Sequence, residues 1–133
     1  MAYSDRHLWS AQFDASTTGD KAYFGGFSTR VNIHRVSVAL LDATTAVVGE
    51  VVFDKLDSAG ARGSADVGAI THSAVARAAG QILTETPSAP KVVNIGETVI
   101  VEVTDAFDAL VMAGIEYSID EQSLADVTND ATA

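Results

Sequence analysis

The sequence predicts an all-β protein that folds as an antiparallel, jelly-roll-like β-sandwich. Small and β-branched residues, above all Ala and Val, supply much of the 47% hydrophobic content, whereas the long helix formers Leu, Glu and Lys are sparse. Apolar and polar residues alternate in several short runs separated by turn-forming residues. About seven or eight such runs follow one another at spacings near ten residues, which is typical of sandwiches and jelly rolls.

The first half of the chain contains four predicted strands. In the longest of them, Val36, Val38 and Leu40 share one side, whereas Val31 and Ile33 have the opposite parity. This switch near Arg35 predicts a twisted strand that changes which face is covered, or two short strands. The four strands are His7–Phe13, the AYFGGF stretch with a bend at Gly25 and Gly26, residues 30–43, and residues 45–56.

The segment from residue 57 to residue 83 is predicted to be one long loop or a short helix. Its first part, DSAGARGSADVG, is rich in Gly, Ala and Ser, as loops are. The stretch HSAVARAAGQIL (72–83) has the Ala content of a short helix but ends in a strand-like sequence. We expect loop here, with at most one helical turn, followed by a strand at Gln81–Thr84.

The most regular alternation lies in the last third, where strands are predicted over Thr98–Val103 and Ala109–Ile119. Most apolar residues of the second strand share one face. Leu110 and Met112 lie on the opposite face, which in a monomer would normally meet water. Their apolar character predicts that this face is covered, either by another subunit or by the long loop.

The length of 133 residues indicates a single β-sandwich domain over residues 1–120. Residues 121–133 are polar, acidic and without period, which predicts a flexible C-terminal tail. Residues 1–9 are a candidate N-terminal arm; the alternative is an ordinary first strand with a frayed start. The aromatic and polar side chains of the arm suit an interface anchor. Together with Leu110 and Met112, the predicted partner-contacting residues are Tyr3, Arg6, His7 and Trp9.

The charge argues against several classes of partner. Eight Lys and Arg stand against eighteen Asp and Glu, for a formal net charge of −10, and the basic residues are scattered singly. Binding to nucleic acid or to an anionic membrane requires a basic patch, so neither is expected. The sequence has no apolar run of about twenty residues, so no transmembrane helix is expected. Its beginning does not have the pattern of a secretory signal.

No catalytic, cofactor or metal site is expected, and we predict that the protein is not an enzyme. His7, His34 and His72 lack the spacing of metal ligands. Asp105 and Asp108 belong to a turn, without the further oxygen ligands of a calcium loop. The chain has no cysteine, no phosphate-binding loop of the Gly-Lys-Ser/Thr kind and no nucleophile elbow.

The series L-x-E-T-P…V-N-I-G-E-T-V-I-V-E-V-T-D-A…A-G-I-E-Y resembles the C-terminal strand pair of small jelly-roll structural proteins of tailed phages. These include capsid decoration, or cement, proteins and related head and tail accessory modules. The matching parts are Ile95–Glu97, Val99–Thr104 and Ala113–Tyr117. The resemblance carries no catalytic residue or contact motif.

The resemblance implies a homotrimer on the outside of an icosahedral head, bound to the major capsid protein and stabilising the shell. The protein would then be part of the virion, on the capsid exterior, and would be assembled in the host cytoplasm. The alternative is a phage tail or fibre accessory module that recognises a receptor or a glycan.

Overall fold

The structure, a computed structural model, describes residues 6–119. This part of the chain forms nine β-strands and no helix, so the predicted all-β class is confirmed. The strands are β1 (His7–Asp14), β2 (Gly19–Phe24), β3 (Val31–Leu40), β4 (Gly49–Leu56), β5 (Gly68–His72), β6 (Ile82–Glu85), β7 (Lys91–Val93), β8 (Thr98–Asp105) and β9 (Leu110–Ile119).

The strands form two antiparallel sheets that pack against each other. Sheet A has the order β1-β9-β3-β6, with β7 also paired to β3, and sheet B has the order β2-β8-β4-β5. Early and late strands are thus interleaved in each sheet, as two Greek keys require in a jelly roll. β6 and β7 share the place of one strand, and residues 86–90, which contain both prolines of the chain, separate them.

The core lies between the sheets and follows the predicted two-residue period. Val99, Val101 and Val103 of β8 are fully buried, and so are Val111 and Ile115 of β9. The fully buried side chains are almost all β-branched or aromatic, which fits two pleated surfaces in contact. The largest are Phe24, Phe53, Ile33, Leu40, Ile115 and His72.

A β-bulge explains the change of apolar parity in the longest strand. The pairing of β3 with β9 shifts by one residue between Ile33 and Arg35, so His34 has no register partner. The extra residue shifts the inward-facing positions from odd to even residue numbers. Ile33 and Val36 therefore both point into the same core, and both are fully buried. Neither predicted alternative, a change of covered face or two short strands, describes β3.

The segment 57–83 differs from the long loop or short helix that its composition predicts. It contains strand β5, which pairs with β4, and it has no helix. In β5 only Gly68, Ile70 and His72 point towards the core, so the apolar alternation in the sequence is too weak to show a strand. The strand predicted at Gln81–Thr84 is present as β6, displaced by one residue.

The N-terminal part of the described chain belongs to the sheet. His7, Leu8 and Trp9 pair with β9, as an ordinary first strand would. Tyr3 and the tail predicted for residues 121–133 lie outside the described residues. Within residues 6–119, no helix is long and apolar enough to cross a membrane.

Candidate functional site

The two most buried histidines and the Arg62 network of the described chain make structural contacts. Within residues 6–119, no three His, Cys, Asp or Glu side chains gather as a metal-binding group would require. His72 is 1% exposed and stacks on Phe107, with ring centroids 5.1 Å apart. Its Nδ1 donates to the carbonyl oxygen of Val47 at 2.7 Å, and its Nε2 lies 2.7 Å from the hydroxyl of Thr44. Both ring nitrogens are therefore engaged in holding the loops around β5 together.

His34, the bulge residue, points to the outer side of sheet A. Its Nε2 lies 2.6 Å from the hydroxyl of Ser118. Burial lowers the pKa of His34, and the charge of Arg6 lowers it further, while Glu116 acts in the opposite direction.

The depressed pKa of His34 has a consequence for stability. The folded state favours the neutral form of His34 more than the unfolded state does. The contribution of His34 to the free energy of unfolding is therefore fully present above its ordinary pKa of about 6.5. It is lost as the pH falls through the folded value. The wild type should lose unfolding free energy when the pH is lowered from neutral to mildly acidic. We expect His34→Gln to lose less over the same pH range, as measured by urea unfolding. An unchanged pH dependence in the variant contradicts this.

Arg62 fixes the 57–67 loop on the outer face of sheet B. Its Nη1 and Nη2 bind both carboxylate oxygens of Asp20 at 2.9 and 2.7 Å, and its Nε binds Asp54 at 3.0 Å. Nη2 also contacts Glu102 at 3.1 Å. The hydrogen bond from Arg62 lowers the pKa of Asp20, and the carboxylates raise the pKa of Arg62. Asp54, 3% exposed, further accepts from the backbone N–H of Ala65 at 2.6 Å.

The outer side of sheet A has a different character, and we call it the open face. Its central residues are small, and apolar side chains lie at its margins, where Leu8 is 68% and Ile82 is 60% exposed. A Cβ on Gly114 would lie 3.2 Å from both Leu8 and Ser37, so the side chain of Leu8 extends over the glycine. The open face comprises Leu8, Ser10, Gln12, Ser37, Ala39, Ile82, Leu110, Met112 and Gly114.

The charged residues at one end of the open face are Arg6, Arg35 and Glu116. Arg6 and Arg35 bind the two carboxylate oxygens of Glu116 at 3.1 and 2.8 Å. Both guanidinium groups remain about half exposed, at 55% and 47% of their side chains. Among the described residues, two basic groups therefore meet one acidic group at this end, although the whole chain is strongly acidic.

The predicted contact residues that the structure describes lie on opposite sides of sheet A. Leu110 and Met112 belong to the open face, and Arg6 lies at its charged end. His7 and Trp9 have the opposite parity. Trp9 packs edge-on against Phe24 and Phe27, and the ring of His7 lies against that of Tyr117 at a tilt of 34°, as parts of an aromatic cluster.

Leu8, like Ile82, is an exposed apolar residue of the open face that the sequence did not indicate. Ser10 and Gln12 follow Leu8 on the same side of the strand. This mostly polar pattern predicts an ordinary solvent-facing surface. Only the pairing of β1 with β9 brings Leu8 beside Gly114, on the same face of the sheet as Met112. The 57–67 loop covers sheet B, so it does not account for the apolar character of Leu110 and Met112.

No protein-family model matches this chain, and no curated protein matches it. Its function is therefore inferred from the geometry of the described residues and from the resemblance of its last strand pair.

Proposed function

We propose that this chain is a structural virion protein: a capsid decoration, or cement, protein that binds the major capsid protein on the head exterior of a tailed phage. The contrast between the outer faces of the two sheets supports this proposal most directly. The open face is rich in small residues and rimmed by exposed Leu8 and Ile82. A surface of this kind suits broad contact with another protein.

The outer face of sheet B suits the opposite role. It carries Asp20, Glu50 and Glu102 at its surface and Asp54 beneath the 57–67 loop, and three of these four carboxylates share one basic partner, Arg62, so the group keeps a net negative charge. Acidic groups hold water and repel other acidic surfaces, so a face of this kind keeps a protein soluble at high copy number. In the proposed arrangement sheet A meets the shell and sheet B faces the solvent.

The test is binding of the purified protein to heads of the phage that encodes it. We expect co-sedimentation with full heads, and heads stripped by mild denaturant should become less stable. Ile82→Glu should weaken binding about tenfold or more, because it buries a charge in an apolar contact. Thr71→Glu is the matched control, since Thr71 is exposed on the outer side of β5 in sheet B. Equal effects of the two variants, or no association with heads, would refute the proposal.

The second candidate is a tail or fibre accessory module that recognises a receptor or a glycan. Trp9 is 36% exposed beside the aromatic cluster, close to a shallow cavity of about 240 Å³ lined by Phe27 and Tyr117. An amphipathic aromatic edge of this kind is frequent in binding surfaces. Antibody labelling of intact particles distinguishes the two candidates, because label confined to tail tips or fibres would favour this module over the decoration protein.

A further inference from the structure

The two sheets have four edges, and three of them carry a feature that discourages pairing with another strand. β2 contains a bulge at Lys21, where its register with β8 shifts. The N–H of Ala69 in β5 is bound by the carboxylate of Glu85 at 3.3 Å. The remaining edge of sheet A is divided between β6 and β7, which are four and three residues long. Bulges, charges and short strands are the usual protections of a sheet edge.

The fourth edge, β1, has none of these protections. It is eight residues long, and its only strand partner among the described residues is β9. The strand continues into Ala15, whose N–H donates to Ala109 and whose carbonyl accepts from Phe107, on the side of β9. Backbone groups alternate in direction along a strand, so the N–H and C=O groups of Leu8, Ser10 and Gln12 point away from β9. The free edge thus presents an unpaired row of donors and acceptors.

We propose that two copies of this chain pair along β1, antiparallel, about a two-fold axis that is perpendicular to sheet A and passes midway between Ser10 and the partner's Ser10. Charge complementarity favours a second copy of this chain as the partner of β1 and also determines the register of the two strands. β1 is preceded by Arg6 and ends at Asp14, so an antiparallel copy places Arg6 opposite the partner's Asp14, and this contact occurs twice. The guanidinium of Arg6 is 55% exposed and is free to bind a second carboxylate besides Glu116.

The same register matches the side chains and the backbone. Leu8 lies opposite the partner's Gln12 on the open face, and Trp9 lies opposite the partner's Ala11 on the other side, so large residues meet smaller ones. Pairs of even-numbered residues bring the outward backbone groups of the two strands face to face. A shift by two residues would keep the faces aligned but would separate Arg6 from the partner's Asp14.

Such a dimer is closed, because the remaining edges are the protected ones. It takes the place of the trimer that the resemblance implies. The inference rests on the free edge of β1 and does not depend on the capsid proposal. A two-fold axis perpendicular to the sheet places both open faces on the same side of the dimer, which doubles the surface offered to any partner.

The test measures the mass of the full chain by sedimentation velocity at micromolar concentrations. We expect a species of twice the chain mass of 13.8 kDa. Ser10→Pro removes an N–H that β9 does not use, and an edge strand tolerates proline there. The dimer should weaken about tenfold to a hundredfold because hydrogen bonds at the axis are lost. Ser10→Ala, which keeps the N–H, should leave the dimer intact.

Charge exchange gives a second, independent test. Arg6→Glu should weaken the dimer, and adding Asp14→Arg in the same chain should restore it with the charges reversed. Arg35→Glu is the matched control, because Arg35 also binds Glu116 but belongs to β3, inside the sheet. Thermal unfolding checks that each variant is folded. A monomeric or trimeric wild type, a Ser10→Pro variant whose dimer is as stable as that of the wild type, or a double variant that is not restored would each overturn the inference.

Discussion

Arg62→Met is expected to destabilise the folded state by about 1–3 kcal/mol, because the buried carboxylate of Asp54 loses a charged hydrogen-bond partner, whereas the contacts with Asp20 and Glu102 are only partly buried. Asp54 is 3% exposed and would keep only its hydrogen bond from Ala65. Asp20 and Glu102 are direct register partners across β2 and β8, and without Arg62 these two like charges would oppose each other. The 57–67 loop would also lose its side-chain contacts to β2 and β8, although its backbone hydrogen bonds to β4 would remain.

The effect of Arg62→Met should depend on pH with a definite sign. Arg62 lowers the pKa of Asp20 in the folded protein. The resulting stabilisation is therefore present above the unfolded pKa of about 4 and is lost as the pH falls through the lower folded value. The free-energy difference between wild type and variant should shrink below about pH 4.

Urea unfolding followed by the fluorescence of Trp9, the single tryptophan, measures this difference. Arg35→Met is the matched control, since Arg35 forms a half-exposed pair with Glu116. Such surface pairs contribute about 1 kcal/mol or less. If Arg62→Met costs no more than Arg35→Met, Arg62 does not fix the loop in the way described.

Phe107→Ala is expected to cost about 3–5 kcal/mol, the usual range for removing a buried phenylalanine. Phe107 is 4% exposed and stacks on His72 at an interplanar angle of 13°. Gly49 leaves the space for this ring, because a Cβ at Gly49 would collide with Phe107. Gly49→Ala should therefore cost about 1–3 kcal/mol by overpacking.

The two substitutions should not be additive. Phe107→Ala removes the collision with the ring, but the Cβ of residue 107 would still lie 2.8 Å from the added methyl, so the cost of Gly49→Ala should fall only in part. A double-mutant cycle of unfolding free energies measures this coupling. Additive costs would show that Gly49 is required for a reason other than the space beside Phe107.

The sequence predicted the fold where each strand has two clearly different faces. β8 and β9 match their predicted bounds closely because their Val and Ile residues alternate without interruption. The bulge at His34 was visible as a change of parity, yet a period-two pattern alone does not distinguish an extra residue from a change of face. β5 was missed because Gly68 and His72 are two of its three core positions.

The contact surface was only partly predictable, because it depends on which strands are neighbours. Leu110 and Met112 were indicated by their own strand, whereas Leu8 acquires its place on the open face only through the pairing of β1 with β9. The Arg62 network is equally non-local. Asp20 and Glu102 lie 42 and 40 residues from Arg62 along the chain, and no short motif connects them.

The division of one strand position between β6 and β7 makes residues 86–90 a natural point of insertion. Both short strands pair with β3 independently, so the backbone between them need not keep any length or register. Lengthening an exposed link of this kind costs only loop-closure entropy, which grows slowly with chain length. A foreign peptide placed there would be carried at the rim of the sandwich, which suits the protein to multivalent display of epitopes.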